Sequence, residues 1–227
     1  MLNKMKRTFC YIDGGIWYSR ADVSPENLPE GIAEAKARQC AVTVCNWANR
    51  DLKETTLDFK DLLLYPELKD LTLNIQSFPV KAILNIDALY ELKQLSGFGI
   101  VSASMKDTGK FNIDAAKIPS LTRLGLNKYS PNIKNIGQAS KLEKLNLTGY
   151  QAHDLTEFSA LHQIRDLRLY HSPIQTLNGI ENMVKLEYLD IAYAKNLQNI
   201  GALDKLEQQH PKPRAVFLPK KFKRGKP

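Results

Sequence analysis

The sequence predicts an α/β solenoid. Short parallel strands line a concave face, 3-10 turns or short helices line the convex face, and an N-terminal β-hairpin plus helix caps one end. Three observations predict it. A hexapeptide recurs at near-constant spacing, each copy is trailed by apolar residues at spacing three, and both ends carry segments suited to closing the array.

The hexapeptide has the form L-x-x-L-x-L. It is clear at residues 121–126, 142–147, 164–169 and 186–191, so successive first positions are 21, 22 and 22 residues apart. The last two apolar positions lie two residues apart, which points both to one face of a short strand. The trailing residues are Ile133 and Ile136; Ala152, Leu155 and Phe158; Ile174, Leu177 and Ile180; and Leu197, Ile200 and Leu203. Spacing of three suits a 3-10 turn, in which such residues eclipse. One turn cannot bury both sets, whereas stacked turns make a continuous core.

Toward the N-terminus the pattern weakens. Residues 68–73 fit, with Ile83 and Ile86 on the return leg. Residues 92–97 read as a degenerate copy ending in Gly97, and 98–117 then lengthens that turn to 29 residues. Val42 and Val44 suit a first strand, with Leu52, Leu57 and Leu62 to Leu64 behind it.

Residues 1–39 read as the N-terminal cap. Asp13-Gly14-Gly15 between two β-forming runs signals a hairpin. Residues 31–39 suit a short helix that begins near Ser24-Pro25-Glu26 or near Leu28-Pro29-Glu30. Residues 40–219 form the solenoid, closed by a last strand in which Val216 and Leu218 take the inner positions. Residues 220–227 read as a basic disordered tail. Trp17, Trp47 and the cysteines fit either core or surface.

On residues 118–204 the chain resembles the leucine-rich-repeat superfamily, and within it the short-repeat class of the internalins and the protein-phosphatase regulatory solenoids. The resemblance implies binding on an open concave face. It departs at one place. The family's internal ladder asparagine, three residues after the last strand leucine, is here Tyr129, Tyr150, Ser172 and Ala194. Turns after the strands are therefore expected to be less uniform.

Composition narrows the function. With 227 residues and 43 % hydrophobic content the chain can build one sizeable core. No apolar run reaches the ~18 residues of a membrane span, and the apolar run near the N-terminus is too short for a secretory leader. A soluble, cytoplasmic, monomeric protein is expected. The three cysteines, Cys10, Cys40 and Cys45, match no zinc spacing and read as reduced thiols. The histidines, His153, His162, His171 and His210, form no metal motif, and no phosphate loop or nucleophile–base pattern is present. No cofactor, no metal and no catalysis are expected.

Of the net charge of +8, seven units lie in residues 210–227, which leaves +1 for residues 1–209. The excess is thus a tail property, and Lys220, Lys221, Lys223 and Arg224 are the groups through which nucleic acid could be met. A solubilising end is the equally simple reading.

The candidate binding residues lie between and after the strand leucines: Arg123, Lys144, Arg165, Asp166, Arg168, Tyr170, His171, Tyr188, Asp190 and Tyr193. The repeat register places opposite charges side by side. One row runs Arg123, Lys144, Asp166, Tyr188, the next includes Arg168 and Asp190, and a third runs Glu143, Arg165, Glu187. Such rows serve equally as a solvated ion-pair ladder or as a docking face that sets specificity and on-rate. Tyrosine and arginine are favoured in binding hot spots, which singles out Tyr170 and Tyr193. Tyr129 and Tyr150 either join them or plug the turns in place of the ladder asparagine. The leading expectation is a protein-binding module, with a toxin-neutralising immunity protein as a specific form of it. The alternative is a nucleic-acid or ribonucleoprotein accessory led by the tail.

Overall fold

A computed structural model describes residues 7–12, 16–46, 54–211 and 213–222, with side chains from Arg20 onward. It is a leucine-rich-repeat solenoid. Strands β1 (Arg7–Ile12) and β2 (Ile16–Val23) pair antiparallel as the hairpin. The chain then makes a 3-10 turn at Pro25–Asn27, helix α1 (Leu28–Ala37) and strand β3 (Ala41–Val44). Both helix starts read from the sequence are used. Ser24 caps the 3-10 turn by accepting from the Glu26 N–H, and Leu28-Pro29 opens the α-helix.

Each later turn repeats one plan. Strands β4 (Thr55–Asp58), β6 (Val80–Leu84), β8 (Ile113–Asp114) and β10 (Ile133–Lys134) lie on return legs, as two small parallel pairs, β4 with β6 and β8 with β10. Strands β5 (Asp70–Asn74), β7 (Gly97–Val101), β9 (Arg123–Leu126), β11 (Lys144–Thr148), β12 (Asp166–Tyr170), β13 (Tyr188–Ala192) and β14 (Ala215–Phe217) lie on the concave side. The main sheet runs β1-β2-β3-β5-β7-β9-β11-β12-β13-β14 and is parallel from β2 onward. Six 3-10 turns, from Phe59–Leu64 to Ile180–Asn182, back the strands, with α2 (Met105–Thr108) between β7 and β8 and α3 (Gly201–Gln209) on the last return leg.

The inner side chains of adjacent strands stack in register. Leu71, Phe98, Leu124, Leu145, Leu167 and Leu189 form one row, and Leu73, Ile100, Leu126, Leu147, Leu169 and Ile191 the next. All twelve are at most 3 % exposed. Each such side chain contributes roughly 1.5–3 kcal/mol by leaving water, so the rows supply the main force for stacking.

This register corrects the reading of residues 92–97. The strand begins at Gly97, and Phe98 and Ile100 take the positions read for Leu95 and Gly97. The copy is therefore Leu95-x-x-Phe98-x-Ile100, with turns of 27 and 26 residues on either side of Leu95 (68 to 95, 95 to 121). Leu92 is buried too, but behind the sheet, just after the 3-10 turn Ile86–Glu91. Spacing of three inside that turn imitates the repeat, and only pairing with β5 separates the two.

The ladder asparagine is replaced by two devices. At the starts of β5, β7, β9, β11 and β12 one carbonyl accepts two N–H groups from the next turn, among them Thr122 from Glu143 and Lys144, Glu143 from Arg165 and Asp166, and Arg165 from Glu187 and Tyr188. Behind the strand ends, Tyr129 and Tyr150 are buried edge to face, with ring centroids 5.3 Å apart, and Tyr150 packs on Phe158 at 4.9 Å. The Tyr150 hydroxyl donates to Glu157 Oε2 at 2.9 Å, and the Ser172 hydroxyl donates to the Tyr150 carbonyl at 2.9 Å. These tyrosines plug the turns and are no part of the exposed face. The exits are also more regular than the missing ladder suggests. Gly149, His171 and Tyr193, each two residues past its last strand leucine or isoleucine, all adopt positive φ.

The strand Ala215–Phe217 closes the sheet, with Val216 opposite Leu189. The chain from Lys220 was read as a tail; Lys220–Phe222 form a 3-10 turn in which Phe222 packs against the core. Lys223 and Arg224 lie outside the described residues, as do Leu52, Trp47 and the side chains of Trp17 and Cys10. Cys40 and Cys45 are buried free thiols.

Leu169→Ala is expected to cost about 2–5 kcal/mol, since it empties the middle of an inner row. Tyr150→Phe, which leaves Glu157 without its donor, is expected to cost about 1 kcal/mol. Urea unfolding followed by circular dichroism measures both.

Candidate binding face

Alternation along each strand turns every second side chain to the concave surface. Register then sorts these side chains into rows. The first runs Asp70, Gly97, Arg123, Lys144, Asp166, Tyr188 and Ala215, and the second Thr72, Gly99, Gly125, Asn146, Arg168, Asp190 and Phe217. Thr148, Tyr170 and Ala192 continue a third row at the strand ends. The sequence-derived rows are thus real neighbours.

Their pairing differs from simple cross-strand attraction. Asp166 is the most buried charged residue of the face, and its carboxylate is taken by Arg168 from its own strand. The Nε to Oδ1 and Nη2 to Oδ2 distances are both 2.8 Å, a bidentate contact. Side chains two apart on a strand share a face, so this pair forms without help from a neighbouring strand. The Arg168 guanidinium also sits 4.5 Å above the Tyr188 ring, and Tyr188 meets Phe217 at 5.5 Å. Asp190 accepts from the Tyr170 hydroxyl at 2.8 Å. Arg165 reaches Glu187 across strands at 2.5 Å, with Arg214 joining at 3.7 Å; all three are well exposed, and such pairs contribute about 0–1 kcal/mol.

At the centre of the sheet Arg123 Nη2 meets Asp70 Oδ1 at 2.6 Å and the Ser96 hydroxyl at 3.2 Å. The ion pair spans two strand spacings and passes directly over Gly97. A Cβ at that position would lie 1.9 Å from Asp70 Oδ1. Glycine there is what lets the charges meet.

The C-terminal end is aromatic. His171 and Tyr193 stack face to face, 4.4 Å apart at an interplanar angle of 1°. Both residues are left-handed, with φ of 52° and 57°. Tyr193 is 68 % exposed and Phe217 54 %. Sequence reasoning named Tyr193 and His171 but passed over Phe217, treated only as a spacer between inner residues. The alternation that put Val216 inward was the signal that put Phe217 outward. Asp70, Gly97 and Gly99 were missed for another reason, since the register slip at residues 92–97 hid the row to which they belong.

Three tyrosines at or just behind the exits of these strands have their ionisation pushed upward. Burial, then the nearby Glu157, pushes Tyr129 up to about 12. Burial, then the hydrogen bond to Asp190, raises Tyr170 to about 12. Burial and Glu157 raise Tyr150 further. Among the described residues no group of three or more His, Cys, Asp or Glu side chains can hold a metal ion. No helix among them is long and apolar enough to cross a membrane.

No protein-family model matches the sequence. No curated protein matches it either. Among solved structures, the chain is similar to the crystal structure of an internalin from Listeria monocytogenes str. 4b F2365. The match covers 86 % of this chain and 75 % of the internalin, at 12 % identity and a TM-score of 0.42. The assignment of the architecture stands on this chain's own register and burial.

Two outcomes are expected. Gly97→Ala destabilises by about 1 kcal/mol or more. Most of that penalty disappears in an Asp70→Ala/Arg123→Ala background, which urea unfolding of the four variants tests. In an alkaline absorbance titration, Tyr129 and Tyr170 ionise near pH 12. Their folded pKa exceeds the unfolded value of about 10, so their contribution to stability is complete below pH ~10 and is lost as pH climbs toward 12.

Proposed function

We propose that this chain is a non-catalytic protein-binding module that grips a partner protein with the C-terminal half of its concave face. One observation carries the reading, the exposed stack of His171 on Tyr193 built on left-handed backbone. Gly149 occupies the equivalent position one turn earlier at no steric cost. Non-glycine residues there cost on the order of 1–3 kcal/mol each, and such strain concentrates at functional sites. Tyr193 is too exposed to offset that cost by burial in the core. The ring pair adjoins the Arg168–Tyr188–Phe217 stack, so tyrosine, arginine and phenylalanine share one end of a rigid sheet. These residue types anchor interfaces, and a preorganised platform loses little entropy on binding.

In its finer form the proposal makes the partner a protein silenced by being covered, as a toxin is by an immunity protein, inside the cytoplasm. An open concave sheet suits that role; the support is analogy with what small solenoids can do. Arg123, Lys144 and Arg165 belong to the same face and supply steering more than affinity.

Pull-down from nuclease-treated lysate tests the reading, using the intact chain, a form cut after Phe222, and Tyr193→Asn. Asparagine tolerates left-handed backbone, so this variant removes the ring and keeps the turn. One protein retained by the first two forms and lost with Tyr193→Asn is expected. With that protein purified, Tyr193→Asn and Phe217→Ala should each weaken binding at least tenfold, about 1.4 kcal/mol or more. Retention that follows residues 223–227 and vanishes with nuclease would instead place binding on the basic end, with Lys220 and Lys221 beside it, and refute the proposal.

A further inference from the structure

The second outward row lacks side chains at its centre. Gly99 and Gly125 are adjacent in register, between Thr72 on β5 and Asn146 on β11. Thr72 and Asn146 stand three strand spacings apart, about 14 Å. A Cβ on Gly125 would meet nothing within 4 Å, and one on Gly99 would make only ordinary contacts, the nearest 3.4 Å from the Gly125 carbonyl oxygen. Packing therefore does not require glycine at either place, unlike Gly97. The result is a hollow of about 300 Å³ in the concave face, floored by peptide planes.

Its charges are largely compensated from within. Asp70 holds Arg123 on one side, and Asp166 holds Arg168 through two hydrogen bonds on the other. An entering carboxylate would be brought beside two resident carboxylates that already engage these guanidinium groups. An entering ammonium would face Arg123, Arg168 and Lys144. A neutral side chain meets neither penalty. The peptide floor and the flat guanidinium groups favour a ring over an aliphatic chain. Thr72 and Asn146, which both donate and accept, favour a polar tip.

We propose that this hollow receives one tyrosine side chain of the partner protein, its ring lying over Gly99 and Gly125 and its hydroxyl hydrogen-bonded at the rim. The inference rests on the concave-face reading above and names the chemistry that fills the centre of that face. It also accounts for two glycines in a strand row where β-formers would stabilise the sheet.

The test titrates the full 15N-labelled chain with N-acetyl-L-tyrosinamide, and separately with the corresponding aspartate and lysine amides, and follows the Gly99 and Gly125 amide resonances. Saturable shifts at both glycines with the tyrosine probe alone are expected. The affinity read at Gly99 should weaken about tenfold or more in Gly125→Leu, whose remaining spectrum stays native because a Cβ at that position meets nothing within 4 Å. No saturable shift, equal shifts with a charged probe, or shifts that survive Gly125→Leu would overturn the proposal. The captured partner separates the two readings. If it binds Gly125→Leu normally but not Tyr193→Asn, the hollow is unused and the concave-face reading stands. If it binds both variants normally, both readings fall.

Discussion

A strand of this chain carries two inner leucines or their equivalents, and its own turn cannot cover them. That constraint organises the molecule. Burial is reached only when the next turn lays its own pair alongside in register, so the strands run parallel and the two inner rows become continuous from Leu71 to Leu189 and from Leu73 to Ile191. Backbone hydrogen bonding follows from the same stacking. From β5 to β12 of the main sheet one carbonyl at the strand entry takes two N–H groups of the next turn, and this holds the spacing without an asparagine ladder. The outer rows are a by-product, since fixing the inner residues leaves no freedom in which side chains face outward or which of them are neighbours.

That enforced face is uneven along its length. Its centre is stripped down, with Gly99 and Gly125 bare and Gly97 overlain by the Asp70–Arg123 ion pair. Its C-terminal end is crowded with rings, with Tyr188 between Arg168 and Phe217 and His171 stacked on Tyr193. The two regions meet at Arg168, which ties the carboxylate of Asp166 to the ring of Tyr188. Rigid aromatic relief next to a depression is the kind of surface that selects a partner by shape. On the proposed reading, the charges, largely matched within the face, contribute more to excluding wrong partners than to adhesion.

Tyr129 and Tyr150 show how one residue type can have opposite fates. By sequence they resemble Tyr170 and Tyr193, with all four falling at or just after strand ends. Three residues past the last leucine, the chain has turned inward, and a ring there fills the space left by the absent asparagine. Two residues past it, on left-handed backbone, the ring points to solvent. A single step along the chain decides between core and surface, and composition carries no trace of it.

From the sequence alone, the repeat period, the hairpin-and-helix cap, and the inner residues and outward neighbours of the four regular turns were all determined. Each depends on spacing between residues close in the chain, and spacing is what a sequence records. Tertiary structure alone decided the rest. The strand at Gly97–Val101 was placed by its pairing with β5, because apolar residues at spacing three occur both in the repeat and in the 3-10 turn before it. Arg168 was given to Asp166 within one strand, not to Asp190 beside it, and Asp70 to Arg123 over an intervening glycine. Such choices compare distances of a few ångströms among side chains that the repeat brings equally near, so they exist only once the turns are stacked.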